Sequence, residues 1–99
     1  MSGTTNSGTN YEIRNITLSS SSDTPIDFNQ QINSFIIKAR TSVDLYLRKT
    51  NNDSGYFTIP ADQSLTVNCA IGDASQGGFI VGYLRASTGS PVAEVIGVF

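Results

Sequence analysis

Residues 32–68 read INSFIIKARTSVDLYLRKTNNDSGYFTIPADQSLTVN, and this stretch decides the fold class. Phe35, Ile37 and Ala39 alternate with Ile36, Lys38 and Arg40. After Thr41-Ser42, Val43, Leu45 and Leu47 alternate with Asp44, Tyr46 and Arg48. Successive side chains of a strand point to opposite faces, so each run reads as a half-buried strand with an apolar core face and a polar outer face. Joined by so compact a connection, the two runs are expected to pair as an antiparallel hairpin. The segment TNNDSG, residues 50–55, is rich in side chains that hydrogen-bond their own backbone or tolerate positive φ, and reads as a turn into a strand at Tyr56–Ile59. Pro60 ends that strand, and PADQS turns the chain into Leu65–Asn68.

The same period of two runs outward in both directions. Tyr11–Leu18 is the first strand. Tyr11 and Ile13 have one parity and Ile16 and Leu18 the other, so a bulge near Asn15 is expected, which lets all four face inward. The polar tract Ser19–Asp23 ends it, and Ile26 and Phe28 form a short apolar pair after Pro25. Towards the other end, the loop GDASQGG (72–78) precedes a strand at Phe79–Arg85, and STGSP (87–91) precedes the last, Val92–Phe99. No segment holds a helical period. The expectation is an all-β fold, a single-domain antiparallel β-sandwich of about seven or eight strands over residues 11–99. Residues 1–10 are Ser, Gly, Thr and Asn after the first Met and read as a flexible N-terminal arm.

Composition narrows the function. At 99 residues, with 38% hydrophobic and only 14% charged, the surface draws its polarity from Ser, Thr, Asn and Gln, groups that are easily desolvated against a partner. A net charge of −2 argues against nucleic acid, whose phosphates call for a basic stripe. No run approaches a membrane span and the N-terminus lacks the basic and apolar regions of a secretory signal, so neither membrane nor secretion is expected. Cys69 is the only cysteine and has no histidine to activate it, so it reads as a small half-buried hydrophobe.

Chemistry-bearing constellations fail one by one. With no histidine, a Ser-His-Asp or Cys-His nucleophile cannot be assembled. Asp23, Asp27, Asp53, Asp62 and Asp73 are scattered through segments that read as turns rather than paired across a cleft. Asn51-Asn52-Asp53-Ser54 offers oxygen ligands but neither the spacing nor the terminal Glu of a calcium loop. Zinc needs Cys or His clusters, and GDASQGG lacks the Lys of a phosphate loop. No enzyme activity, metal or cofactor is expected.

Two surfaces remain. Lys38, Arg40, Tyr46 and Arg48, with Lys49 close by, lie on the outer parity of the expected hairpin and form a candidate contact patch for an acidic partner, or else a solvated face with local ion pairs. In Phe79–Arg85, Ile80 and Leu84 have the opposite parity to Phe79, Val81 and Tyr83, and VAEVIGVF is apolar on both faces. Ile80, Leu84, Val95 and Phe99 are therefore a candidate oligomer interface, the alternative being cover by a loop or the arm of the same chain.

Taken together, YEIRNITLSSSSDTPIDF, INSFIIKARTSVDLYLRK, GYFTIPADQSL and GYLRASTGSPVAEVIGVF, the last as a closing hairpin, resemble the small jelly-roll-like virion proteins of tailed bacteriophages, the capsid decoration or cement proteins among them. The resemblance spans residues 11–99 and implies a non-enzymatic role: binding and stabilising an assembled shell. It also implies the major capsid protein as partner, a homotrimer, an arm reaching along the shell, and a place on the capsid exterior after synthesis in the host cytoplasm. The alternative is a neck, tail or fibre component, including a glycan- or receptor-binding module in which Tyr46, Tyr56 and Tyr83 stack on sugars.

Overall fold

The computed structural model describes residues 11–28, 32–71 and 79–99, with 69–71 and 79 described by their backbone alone. The arm 1–10, the loop 72–78 and the Cys69 side chain lie outside the described residues. Eight strands follow one another: β1 (Tyr11–Thr17), β2 (Thr24–Phe28), β3 (Ile32–Ala39), β4 (Leu45–Arg48), β5 (Phe57–Ile59), β6 (Ser64–Ile71), β7 (Phe79–Ala86) and β8 (Val92–Val98). They form two four-stranded sheets, ordered β1-β8-β3-β6 and β2-β7-β4-β5, with every pairing antiparallel. This is the strand order of a jelly roll, a sandwich made from two Greek keys.

The links explain the stacking. Segments 18–23, 40–44, 60–63 and 87–91 carry the chain from one sheet to the other, joining β1 to β2, β3 to β4, β5 to β6 and β7 to β8. Short links hold these pairs face to face, so the two sheet orders superpose strand upon strand and leave two flanks, β1/β2 and β5/β6. The expected hairpin of 35–40 with 43–48 is therefore corrected: β3 pairs with β6 and β8, while β4 pairs with β5 and β7 in the other sheet. The closing hairpin is likewise a corner between sheets. Among the described strands only β4 and β5, joined through 49–56, are sequence neighbours paired with each other. A compact polar connection carries the period equally well through a hairpin or around the corner of a sandwich.

The corners are tied by side chains suited to them. Asp44 accepts a hydrogen bond from the Ala61 backbone N–H at 2.8 Å, and Ser42 donates to Asp62 at 3.0 Å, pinning link 40–44 against link 60–63. Asp62 has φ 65°, which a short polar side chain tolerates better than a bulky one.

The core lies between the sheets. Phe35 and Ile37 of β3, Ile26 and Phe28 of β2, Leu45 of β4 and Ile59 of β5 are buried, as their alternation predicts. Each such side chain contributes about 1.5–3 kcal/mol relative to exposure. Gly97 of β8 lies against the ring of Phe28: a Cβ there would come within 2.6 Å of two ring carbons. The inner face of β8 (Ala93, Val95 and Gly97) is thus small where β2 is large.

The bulge expected near Asn15 is absent. β1 pairs continuously with β8 from Tyr11↔Val98 to Thr17↔Val92, so its parity never changes. Tyr11 and Ile13 consequently stand on the outer face, 53% and 57% exposed, while Glu12 and Arg14 take the inner parity and form an ion pair with each other.

Candidate functional site

The structure divides the expected basic patch between opposite sides of the sandwich. Lys38 and Arg40 project from the outer face of the first sheet and converge on Glu94 of β8, which lies opposite Lys38 in the register. Arg40 Nε donates to Glu94 Oε2 at 3.0 Å, and Lys38 Nζ lies 3.4 Å from Oε1. These contacts hold the Glu94 carboxyl below its ordinary pKa, the hydrogen bond from Arg40 first among the causes and opposed in part by desolvation. Tyr46 and Arg48 project from the second sheet, so the four residues do not form one patch.

Around Arg48 stands a network that sequence reasoning missed. Asp23, in the link before β2, has a side chain with no exposure to solvent. It accepts from Arg85 Nε at 2.9 Å, from Arg48 Nη1 at 3.3 Å and from the Asn52 backbone N–H at 2.7 Å. Arg85 also donates to Asn52 Oδ1, and Arg48 Nε donates to the Asp53 carbonyl at 2.8 Å. Four segments are thereby locked together: link 18–23, strand β4, strand β7 and loop 49–56. Asn52 has φ 60°, and Asp53 closes the loop by accepting from Thr50 and Gly55. The only signal in the sequence was that Arg48 and Arg85 both fall on polar positions of strands.

The same loop sets an aromatic group in place. Tyr56 packs edge-on against Tyr46 with centroids 5.0 Å apart, and the Arg48 guanidinium lies 4.9 Å from the Tyr56 ring centre. Tyr56 remains 55% exposed, so one aromatic side chain is held by its neighbours and offered to solvent. Tyr83 is half-buried on the same outer face, opposite Arg48 and Pro25.

The expected oligomer interface is corrected in two of its four residues. Leu84 and Val95 are fully buried in the core. Leu84 shares inner parity with Gly82 and Ala86, and Val95 with Ala93 and Gly97; small inner residues make the inner face look like the outer one in the sequence. Ile80 is half-buried opposite Asp27, beyond a register shift between Ile26 and Asp27, and Phe99 packs half-buried against the core.

An apolar surface lies instead on the outside of the first sheet. Ile13 and Ile36 flank Ile96 from either side in one cross-strand row, and Tyr11 and Val98 form the adjoining row. Ile36, Ile96 and Val98 are half-buried, and Tyr11 and Ile13 are open to solvent. Glu94 and Lys38 border the patch in the following row. Its chemistry is that of a docking surface: contiguous apolar contact with a charged rim. Among the described residues, no three His, Cys, Asp or Glu side chains gather where they could hold a metal. Compared with known proteins, the chain matches no family model and no curated protein.

Proposed function

We propose that this protein is a non-enzymatic structural subunit of a virion, of the capsid decoration type, which docks on an assembled protein shell through the outer face of β1, β8 and β3. The observation that carries the reading is the Ile13–Ile96–Ile36 row with Tyr11 and Val98 beside it, an apolar surface on the outside of the sandwich, facing away from the core. Large solvent-facing apolar patches are uncommon on monomers and mark contact sites. The jelly-roll strand order, shared by viral capsid and lectin domains, agrees with the reading. A subunit that binds only the assembled state stabilises that state by mass action, and repetition multiplies weak contacts.

The test begins with the copy number of this protein in purified particles, by quantitative mass spectrometry against the major shell protein. A decoration role gives copies on the order of hundreds; roughly a dozen or fewer overturns it in favour of a neck, tail or fibre component. The face itself is tested with Tyr11→Ser and Ile13→Asp, both at exposed positions. Loss of shell binding by a folded variant is expected, and undiminished binding removes this face from the proposal.

A second reading, a glycan- or receptor-binding module, is favoured by one observation: Tyr56 is braced by Tyr46 and Arg48 yet exposed. A glycan array decides between them, since hits that vanish in Tyr56→Ala support the second reading.

A further inference from the structure

An edge strand presents unpaired backbone N–H and C=O groups to any strand that can reach them, and natural sandwiches block this with charges, prolines, bulges or short edges. Among the described residues the two sheets have four edges, β1, β6, β2 and β5. On β1, Glu12 and Arg14 take the inner parity, where an added strand would have to cover them. On β2, Pro25 lacks an N–H, and the register shifts between Ile26 and Asp27. β5 is three residues long and is ended by Pro60. β6 is the least guarded of the four: its eight residues, SLTVNCAI, include no charge and no proline, its register against β3 shifts only beyond Asn68, so that Ser64–Asn68 run regularly, and among the described residues it pairs only with β3.

The flank around this edge is also open. Link 60–63 joins β5 to β6, so the two edges lie at the same side of the sandwich. Phe57 of β5 stands opposite Leu47, a residue packed on the core, and so has core parity. It is nevertheless 58% exposed. Leu65 and Val67 of β6, on the core side of their strand, are only half-buried. Core-facing side chains are exposed just where, among the described residues, the hydrogen-bonding edge is unpaired.

We propose that the β6 edge joins a second copy of this chain, β6 to β6 and antiparallel about a two-fold axis near Thr66, continuing the four-stranded sheet into one of twice its width. Charge complementarity favours this occupant. A strand with no charge meets its own copy without repulsion, whereas a charged partner strand would find no counter-charge on β6. The pattern is self-complementary as well: Leu65 falls opposite Val67 of the second copy, Ser64 opposite Asn68, and Thr66 opposite itself, so like faces like. Phe57 of each copy then lies beside the joined edge. An antiparallel edge gives a two-fold, not the three-fold arrangement that the resemblance implies.

The size of the flank sets the strength. With the two-fold at Thr66, Ser64–Asn68 of each copy overlap, and five residues at about 3.3 Å each give roughly 17 Å of edge. With a smallest molecular extent of 20 Å, the footprint is on the order of 300 Å² per copy, well below the roughly 800 Å² of a standard interface. The dimer is accordingly concentration-dependent, and sedimentation velocity of the full chain over a wide concentration range is the assay. Wild type is expected to move from monomer to dimer. Thr66→Lys and Thr66→Glu, both at an exposed edge position, are each expected to weaken self-association at least tenfold while keeping the wild-type circular dichroism spectrum. Mixed together they are expected to form a heterodimer, because a two-fold at Thr66 brings the new charges face to face. A wild type that stays monomeric throughout overturns the proposal and leaves this edge to a different protein. So does an oligomer, of any size, that both single variants form as readily as wild type. If Thr66 variants prove misfolded, Phe57→Ser provides the second measurement, with weakened dimerisation expected and unchanged dimerisation counting against the proposal.

Discussion

Replacing Asp23 with Ala removes the acceptor shared by Arg48, Arg85 and the Asn52 backbone N–H. Its carboxylate has no solvent exposure, and the Arg48 and Arg85 side chains are 12% and 23% exposed, so the guanidiniums can regain only part of their hydration. Breaking a buried pair by deleting one partner costs about 3–5 kcal/mol. The partial access of the two arginines puts the expected loss near the lower bound, about 3 kcal/mol. For a domain of this size that lowers Tm by roughly 12–24 °C. Because the chain has no Trp, the assay is urea and thermal unfolding followed by far-UV circular dichroism, with the slope checked for two-state behaviour. A double-mutant cycle of Asp23→Asn with Arg85→Met isolates the shorter ion pair and is expected to return a coupling of about 1 kcal/mol or more. A loss below about 1 kcal/mol in Asp23→Ala, or a cycle whose single effects simply add, would refute the reasoning, because the network would then be a surface arrangement of the kind that contributes little.

Two further perturbations test the packing and the charge cluster. Gly97→Ala places a methyl group 2.6 Å from Cε1 and Cζ of the buried Phe28 ring, so overpacking outweighs the gain from removing a strand glycine and stability falls by about 1–2 kcal/mol. Phe28→Leu in the same chain should recover part of that in the urea midpoint. For Glu94, whose folded pKa is lowered by Arg40 and then Lys38, the stabilisation is fully present above the unfolded pKa. The stability difference between wild type and Glu94→Gln should therefore stay constant from neutral pH down to the ordinary glutamate pKa. It should shrink as pH falls from there through the lowered folded value, as read from urea midpoints across the acid range; a difference that grows on acidification would reverse the assignment.

How much of this was legible in the sequence follows from what period two encodes. Alternation reports which side chains are buried, and Phe35, Ile37, Leu45, Ile26 and Phe28 were readable for that reason. It does not report which strand lies alongside. In this jelly roll nearly every consecutive pair of strands is split between sheets, so a run such as 35–48 reads as a hairpin although it turns a corner. Alternation also loses the inner face where that face is small. The inner set of β8 is Ala93, Val95 and Gly97 and the outer set includes Val92, Ile96 and Val98, so size alone points the wrong way. On β1 the same rule failed through the assumption that Tyr11 and Ile13 must be inside; the charged pair Glu12 and Arg14 at the other parity was the only hint of a departure. The Asp23 network joins residues 25 and 62 positions apart, a pairing no local pattern announces.

The use of charge separates the two surfaces proposed for docking from the rest of the molecule. Of the six Lys and Arg residues, five have a carboxylate partner within the chain: Arg14 with Glu12, Lys38 and Arg40 with Glu94, and Arg48 and Arg85 with Asp23. A cation already held by its own carboxylate must give up that contact before it can serve an acidic partner, and it gains little in the exchange. That is the physical reason to move the docking proposal away from the Lys38, Arg40, Tyr46 and Arg48 set. What the charges leave uncovered is the isoleucine row on the outer face of β1, β8 and β3 and the bare backbone edge of β6. The first offers apolar area and the second directional hydrogen bonds; they share one sheet, the row running from Ile13 at the far edge to Ile36, which pairs with Thr66 of β6. A copy joined along β6 leaves the outer face of β1 free, so self-association and docking on a larger assembly do not compete. Each can then be weakened by a substitution that spares the other: Ile13→Asp on the face, and beside the edge Phe57→Ser, which lies in the other sheet.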